Sequence, residues 1–287
     1  MITSTSMAIT QFIENQTEGE QQQEEVNHEC NELLNSLQKE RGWRTPYLYL
    51  FQGFWCQSKE IQAIISVQTH FQAQDTDLIL ATIPKSGTTW LKALAFAIVT
   101  RKRFAVMKNH FHPSLTSNPH DLVPFLEYML YANNQIPDLS GLPSPRLFAT
   151  HVPGVIGFGP YWDHMLGYWN KSLECPDKVL FLKYEDLKDD ITHHVKRLAK
   201  FLGYPFSMVE EREGMVETIS RLCSFQNLKE LEVNKNGKTI LNFENESLFR
   251  KGVVGDWINY LSPSMVERLS KVMDEKLGDS GLSFNVF

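Results

Sequence analysis

A chain of 287 residues with 42% apolar content can bury a sizeable core, and is long for one domain yet within reach of an α/β fold. Its net charge of −6 argues against nucleic acid or an anionic membrane surface as the main partner, so any anion site must be a local cluster of basic groups. Cys30, Cys56, Cys175 and Cys223 stand far apart with no C-x-x-C pair, which argues against a zinc or disulfide framework and predicts reduced thiols and no metal.

Residues 1–28 are polar, with a Glu/Gln-rich run from Glu18 to Glu25, and cannot bury enough apolar area to offset ordering entropy. They read as a disordered tail before a single domain over 29–287. The first lysine or arginine is Lys39, too late for a signal or transit peptide, and no apolar run approaches ~20 residues. A soluble cytoplasmic protein is expected. Residues 29–38 have the spacing of a short amphipathic helix, and Ile61 to Phe71 repeat that spacing. Between them, Tyr47 to Trp55 form an aromatic-rich segment that either covers a substrate mouth or packs on the core.

The central stretch is Asp77 to Val99. Leu78, Ile79, Leu80, Ala81 and Ile83 make an almost unbroken apolar run, which suits a parallel strand covered on both faces. Pro84 ends the ladder because it has no N–H to donate. Lys85-Ser86-Gly87-Thr88-Thr89 turn the chain, and Trp90 opens a helix with apolar residues at Leu91, Leu94, Ala95 and Ile98. A strand, a short Gly/hydroxyl loop and a helix aim several unpaired N–H groups at one point, where the helix dipole favours an anion. Lys85 adds a full positive charge, and Ser86, Thr88 and Thr89 add hydroxyl donors. The stretch reads as a phosphate cradle, although the lysine stands at the front of the loop and so departs from G-x-x-x-x-G-K-[ST].

Further along, Asn109 to Tyr131 carries His110, His112 and His120 among prolines and aromatics, and reads equally as a pocket wall or as a packed long loop. Leu139 to Pro145 is a loop. Arg146 to Thr150 predicts a second strand that ends at His151. Trp162, Met165, Leu166 and Trp169 form a helical stripe expected in the core. Lys178 to Lys183 predicts a third strand, followed by Tyr184. Asp190 is a candidate N-cap for a helix over Ile191 to Leu202 that ends at Gly203. One helix is expected from about Met208 to Cys223, and a last one from Pro263 to Leu277. The alternation predicts a three-layer α/β domain with a mainly parallel sheet and a P-loop-like strand-loop-helix.

The segment PKSGTTWLKAL (84–94) resembles the 5′-phosphosulfate signature of the cytosolic sulfotransferases. The resemblance continues through NPHDLVPFLE (118–127), SPRLFATHVP (144–153), VLFLKYEDLKDD (179–190), CSFQNLKELEVNK (223–235) and FRKGVVGDW (249–257), over about residues 40–287. It is nearest to plant enzymes of the hydroxyjasmonate-sulfating type. This implies sulfuryl transfer from 3′-phosphoadenosine 5′-phosphosulfate (PAPS) to a small hydroxylated acceptor of hydroxyjasmonate, flavonoid or steroid type, and a monomer is expected. It also implies roles. Lys85 stabilises the departing phosphate while Ser86, Gly87, Thr88 and Thr89 hold it. His151, in THVP, is the base that takes the acceptor proton, a task suited to an imidazole near neutral pKa. Trp90 and Phe225 offer faces to the adenine, Cys223 makes a polar contact to it, and Tyr184 contacts the nucleotide near the cradle. Arg250-Lys251-Gly252 form the loop over the 3′-phosphate.

One piece of the family pattern is absent. After the THVP strand the family has a further strand and helix whose arginine and serine grip the 3′-phosphate; here THVP runs directly into GVIGFGP, with no lysine or arginine from Leu147 to Asn170. Losing these contacts could cost several kcal/mol, at about 1.5–3 for each hydrogen bond to a charged group. A parallel sheet deprived of one strand also exposes an edge. A second expectation is therefore a catalytically impaired relative, and a third is a nucleotide kinase or other triphosphatase on the same cradle.

Overall fold

Strand-forming runs fall into two separate groups in the computed structural model, which describes residues 32–42, 45–104, 112–151, 161–239 and 242–284. The expected tail and the Gly159-Pro160 region lie outside these residues. The first group is an antiparallel meander of β1 (Lys39–Arg41), β2 (Tyr47–Phe51) and β3 (Phe54–Cys56). Phe51 pairs with Phe54 across a two-residue loop, Gln52-Gly53, whose φ values of 51° and 84° are both left-handed. That is the turn whose twist matches a hairpin. Phe51 and Cys56 point from it into a cluster with Leu34, Ile61 and Ile64, so this aromatic segment packs on α1 (Ser58–His70).

The second group holds the site. β4 (Leu78–Ala81) lies parallel to β5 (Leu147–Thr150), with Leu78 opposite Leu147 and Ala81 opposite Thr150. Arg146 sits just before β5 and pairs with Asp77 just before β4, N–O 2.5 Å, which pins the two strand starts together. Helix α2 (Thr88–Thr100) is apolar nearly all round, and Ala93 to Ile98 are all buried, as an enclosed helix must be. It packs with β4 and β5 against α5 (Ile191–Phe201) and α6 (Met215–Leu222). On the other side of the strands lies α3 (Tyr161–Glu174), whose Trp162, Met165, Leu166 and Trp169 meet α8 (Pro263–Leu277) at Leu277. Strands thus lie between two helical layers, which is the expected α/β arrangement.

Three expectations change. The helix expected from Met208 to Cys223 breaks into Met208–Arg212 and α6, because Gly214 adopts the left-handed region at φ 75°. Asp190 does cap α5, accepting from the His193 amide, but that helix stops at Phe201. The third correction matters most. Residues 178–183 form no strand ladder among the described residues. The segment's side chains alternate as a strand's do: Leu180 and Leu182 pack into the layer of α2 and α5, and Phe181 into the opposite layer with Met165 and Trp169. What it lacks is a neighbour in register. The amides of Leu78 and Thr82 donate to Arg146 and Thr150 on the β5 side, so the intervening Ile79 and Ala81 turn their N–H and C=O away from β5. There a cleft of about 1590 Å³ separates β4 from 178–183 and is lined by both.

Candidate functional site

The loop after β4 is shaped by its own hydrogen bonds. The Ile83 carbonyl accepts from both the amide and the hydroxyl of Ser86, at 3.2 and 2.6 Å. Contrary to the sequence expectation, that hydroxyl is engaged inside the turn and is not open to an anion. Lys85 takes a left-handed φ of 68° and Gly87 one of 101°. Gly87 is the N-cap of α2 and cannot easily be anything else: a Cβ there would lie 2.8 Å from the Tyr184 ring. Tyr184 opens α4 (Tyr184–Asp189) and meets Trp90 edge to face, centroids 5.5 Å apart. Tyr184, far from the cradle in sequence, is therefore a neighbour of both Gly87 and Trp90. The buried indole N–H of Trp90 has no partner among the described residues. The Lys85 ammonium donates to the Ser247 carbonyl at 3.1 Å, which ties the cradle to the loop that begins at Phe249.

His151 stands where β5 ends. Its Nδ1 lies 2.8 Å from the Thr82 carbonyl and 3.1 Å from the Thr82 hydroxyl. A carbonyl oxygen can only accept, so the proton is on Nδ1 and Nε2 carries the lone pair, a tautomer assigned from its partner. Burial pushes the imidazole down to about 4, against the hydrogen bond it donates to the Thr82 carbonyl, which pulls the other way. The ring is neutral at pH 7, packed 4.5 Å from Phe125, and lines the cleft. The Thr82 hydroxyl is in turn 2.8 Å from that of Thr88, so His151 and the cradle share a hydrogen-bonded link.

Three residues that the sequence reading did not select surround this pair. Glu127 is 3% exposed and accepts from the His151 amide through Oε1 at 2.6 Å, while its Oε2 has no partner among the described residues. Burial raises this carboxyl to about 7. Lys92 is 0% exposed, and its Nζ lies 3.1 Å from His120 Nδ1. His120 Nε2 lies 3.0 Å from the Thr89 hydroxyl. A signal existed for Lys92, since a lysine interrupts an otherwise apolar helix. His120 already stood in the stretch read as a pocket wall or a packed loop, and it lines the cleft, whereas nothing marked Glu127.

On the far side of the cleft, Phe225 opens α7 (Phe225–Glu230) after the Ser224 N-cap. Gly252, φ 65°, presses its backbone on the Phe225 ring, where a Cβ would come within 2.5 Å. Arg250 and Lys251 both bond to Asp256, Lys251 at 2.7 Å, and their hydrogen bonds hold that carboxyl down at about 2. The cradle, His151, Phe225 and the 250–252 loop all line one cleft. Cys223 does not join them. Its side chain is fully buried in the core, where burial pushes the thiol up, so the expected polar contact to a base is withdrawn and Ser220 and Ser224 line the cleft nearby. Among the described residues, no group of three His, Cys, Asp or Glu side chains could hold a metal ion.

Comparison with known proteins agrees with this geometry. A sulfotransferase-domain family model matches residues 75–157 and 154–281. Cytosolic sulfotransferase 15 of Arabidopsis thaliana is 55% identical over 322 aligned residues, covering 93% of this chain and 90% of the relative. Flavonol 4′-sulfotransferase of Flaveria chlorifolia is 41% identical, covering 82% of this chain and 89% of its own. A crystal structure of an Arabidopsis thaliana sulphotransferase, provisionally described as acting on steroids, superposes with a TM-score of 0.70 at 35% identity, covering 91% and 97% of the two chains. Mouse sulfotransferase SULT7A1 complexed with PAP shares the fold alone, at TM-score 0.54 and 20% identity over 82% of this chain and 96% of its own.

Proposed function

Because the chain belongs to the plant cytosolic sulfotransferases, enzymes whose sulfuryl donor is PAPS, we propose that this cleft sulfates a small hydroxylated acceptor of hydroxyjasmonate, flavonoid or steroid type. The observation that carries the reading is the His151 tautomer. With Nδ1–H held by the Thr82 carbonyl, Nε2 is the acceptor for the proton of a substrate hydroxyl. As the acceptor oxygen bonds to sulfur, the bond from sulfur to the 5′-phosphate oxygen breaks. That charge falls to Lys85, the Thr89 hydroxyl and the amides that open α2. The products are a sulfate ester, 3′,5′-ADP and a protonated His151. Positioning and charge stabilisation provide the rate in such loose in-line transfers. Trp90, Tyr184 and Phe225 would hold the adenosine, and Gly252 the approach to the 3′-phosphate. The reading takes residues 29–287 as one domain and the chain as a cytoplasmic monomer. The names of its relatives support the compartment, and among the described residues no helix is long and apolar enough to cross a membrane.

Two observations support the loss of a strand and helix after His151. The family model matches in two pieces that meet at 154–157. In the 322-position alignment, 93% of 287 residues is about 267, so about 55 positions face no residue of this chain. The cleft between β4 and 178–183, with the backbone of Ile79 and Ala81 on one wall unpaired among the described residues, is where a strand would fit. This favours a second reading, in which the chain keeps the cradle but is catalytically impaired, since Asp256 already engages both remaining basic residues. Calorimetry with 3′,5′-ADP and 5′-AMP, beside transfer of radiolabelled sulfate to a hydroxyjasmonate, flavonol and steroid panel, decides between the two. Labelled product and preference for 3′,5′-ADP favour the first reading. Equal affinities without product favour the second.

A further inference from the structure

Lys92 is a full-length ammonium side chain enclosed between α2 and the segment 118–130, and it does not itself line the cleft, although His120 beside it does. Its Nζ sits 3.2 Å over the Phe125 ring and 3.1 Å from His120 Nδ1. The His120 ring is stacked on Phe125 at 5.3 Å, and its backbone amide donates to the Asn118 side chain at 2.9 Å, which together favour the observed ring position. On its other edge, Nε2 meets the hydroxyl of Thr89 at 3.0 Å, in the first turn of α2 and on the wall of the cleft.

Only two proton orders fit this row. An ammonium has donors alone. If Lys92 donates to Nδ1, the ring proton lies on Nε2 and is given to the Thr89 oxygen. The Thr89 hydrogen is then free to point at an anion in the cradle. In the reverse order the ring donates to a neutral amine, Nε2 accepts from Thr89, and the hydroxyl offers an anion nothing but lone pairs. Burial pushes Lys92 toward losing its proton, while Glu127 and Asp121 oppose this, so both orders are within reach. The charged and titratable groups facing the row are Lys92 itself, Asp121, Glu127, His120, His151 and Lys85.

We propose that Lys92 is a positioning residue which, through His120, holds the Thr89 hydroxyl as a donor to the 5′-phosphate without touching the nucleotide. The inference rests on the cradle reading above. Its test uses 5′-AMP, which needs the cradle and no 3′-phosphate site, and calorimetry on the full chain. Lys92→Met and Thr89→Val should each weaken 5′-AMP about tenfold, the effect of one hydrogen bond to a charged group. The double variant should bind no more weakly than Thr89→Val, because both changes remove the same bond. Unchanged affinity in Lys92→Met, or penalties that multiply in the double variant, would overturn the relay. Nitrogen-15 spectra of His120 in the unmodified chain with 5′-AMP avoid any folding defect in the variants. They should show the Nε2–H tautomer, and Nδ1–H with binding intact overturns the relay alone. A chain that takes up no 5′-AMP overturns the cradle and this proposal with it.

Discussion

Replacing Glu127 by glutamine tests the electrostatics beneath His151 without disturbing its geometry. The Oε1 that accepts from the His151 amide survives as the amide oxygen, and only the titratable oxygen, already unpartnered, is exchanged. In the folded chain the carboxyl is raised to about 7 by burial, against about 4.3 when unfolded. The folded state therefore binds the proton more tightly. The stabilising contribution is fully present below pH ~4.3, declines as pH rises through the folded value, and is gone above about 7. The two values differ by between two and three pH units, which corresponds to about 3 kcal/mol. Glutamine stays neutral throughout. Urea unfolding of both proteins from pH 4.5 to 8 should show the native chain losing about 3 kcal/mol relative to Glu127→Gln, and carboxylates elsewhere cancel in the difference. Parallel stability curves would refute the argument, since they would mean that Glu127 is solvated or charged when folded.

Other perturbations probe the remaining parts. Gly87→Ala meets both a left-handed backbone and the Tyr184 ring, and should cost about 2 kcal/mol, a fall of roughly 4–8 °C in melting temperature. Adding Tyr184→Ala should recover only the steric share. Arg146→Met leaves the buried Asp77 without its countercharge and with only the Gln74 amide donating to it, and should destabilise by about 3–5 kcal/mol in urea melts, with Asp77→Asn restoring most of the loss. Inserting between 153 and 154 the ~55 residues of the Arabidopsis relative that face no residue of this chain should create a calorimetric preference for 3′,5′-ADP over 5′-AMP; equal affinities would count against the missing-segment reading. In that extended chain, His151→Asn should lower kcat by about 10²–10⁴ while leaving 3′,5′-ADP affinity within about twofold.

Local chemistry was enough to find the cradle. An apolar run, a proline, a glycine and a helix period follow one another within Asp77 to Val99, and each acts on its immediate neighbours. The same holds for β5 ending at His151 and for the Asp190 cap. Backbone pairing is different in kind, because a ladder needs a second strand in register from elsewhere in the chain. Residues 178–183 have the composition and the alternation of a strand, yet only the tertiary arrangement decides that, among the described residues, no strand pairs with them. Burial is likewise a property of the assembled layers. It sends Cys223 into the core, raises Glu127, and encloses Lys92 against a histidine 28 positions away. Asp256 is close to Arg250 and Lys251 in sequence, but the loop conformation decides that one carboxylate engages both. Residue types and short-range spacing therefore determined which groups could perform the chemistry. Their protonation and their freedom to meet a ligand depend on desolvation and on partners that only folding brings within a few ångströms.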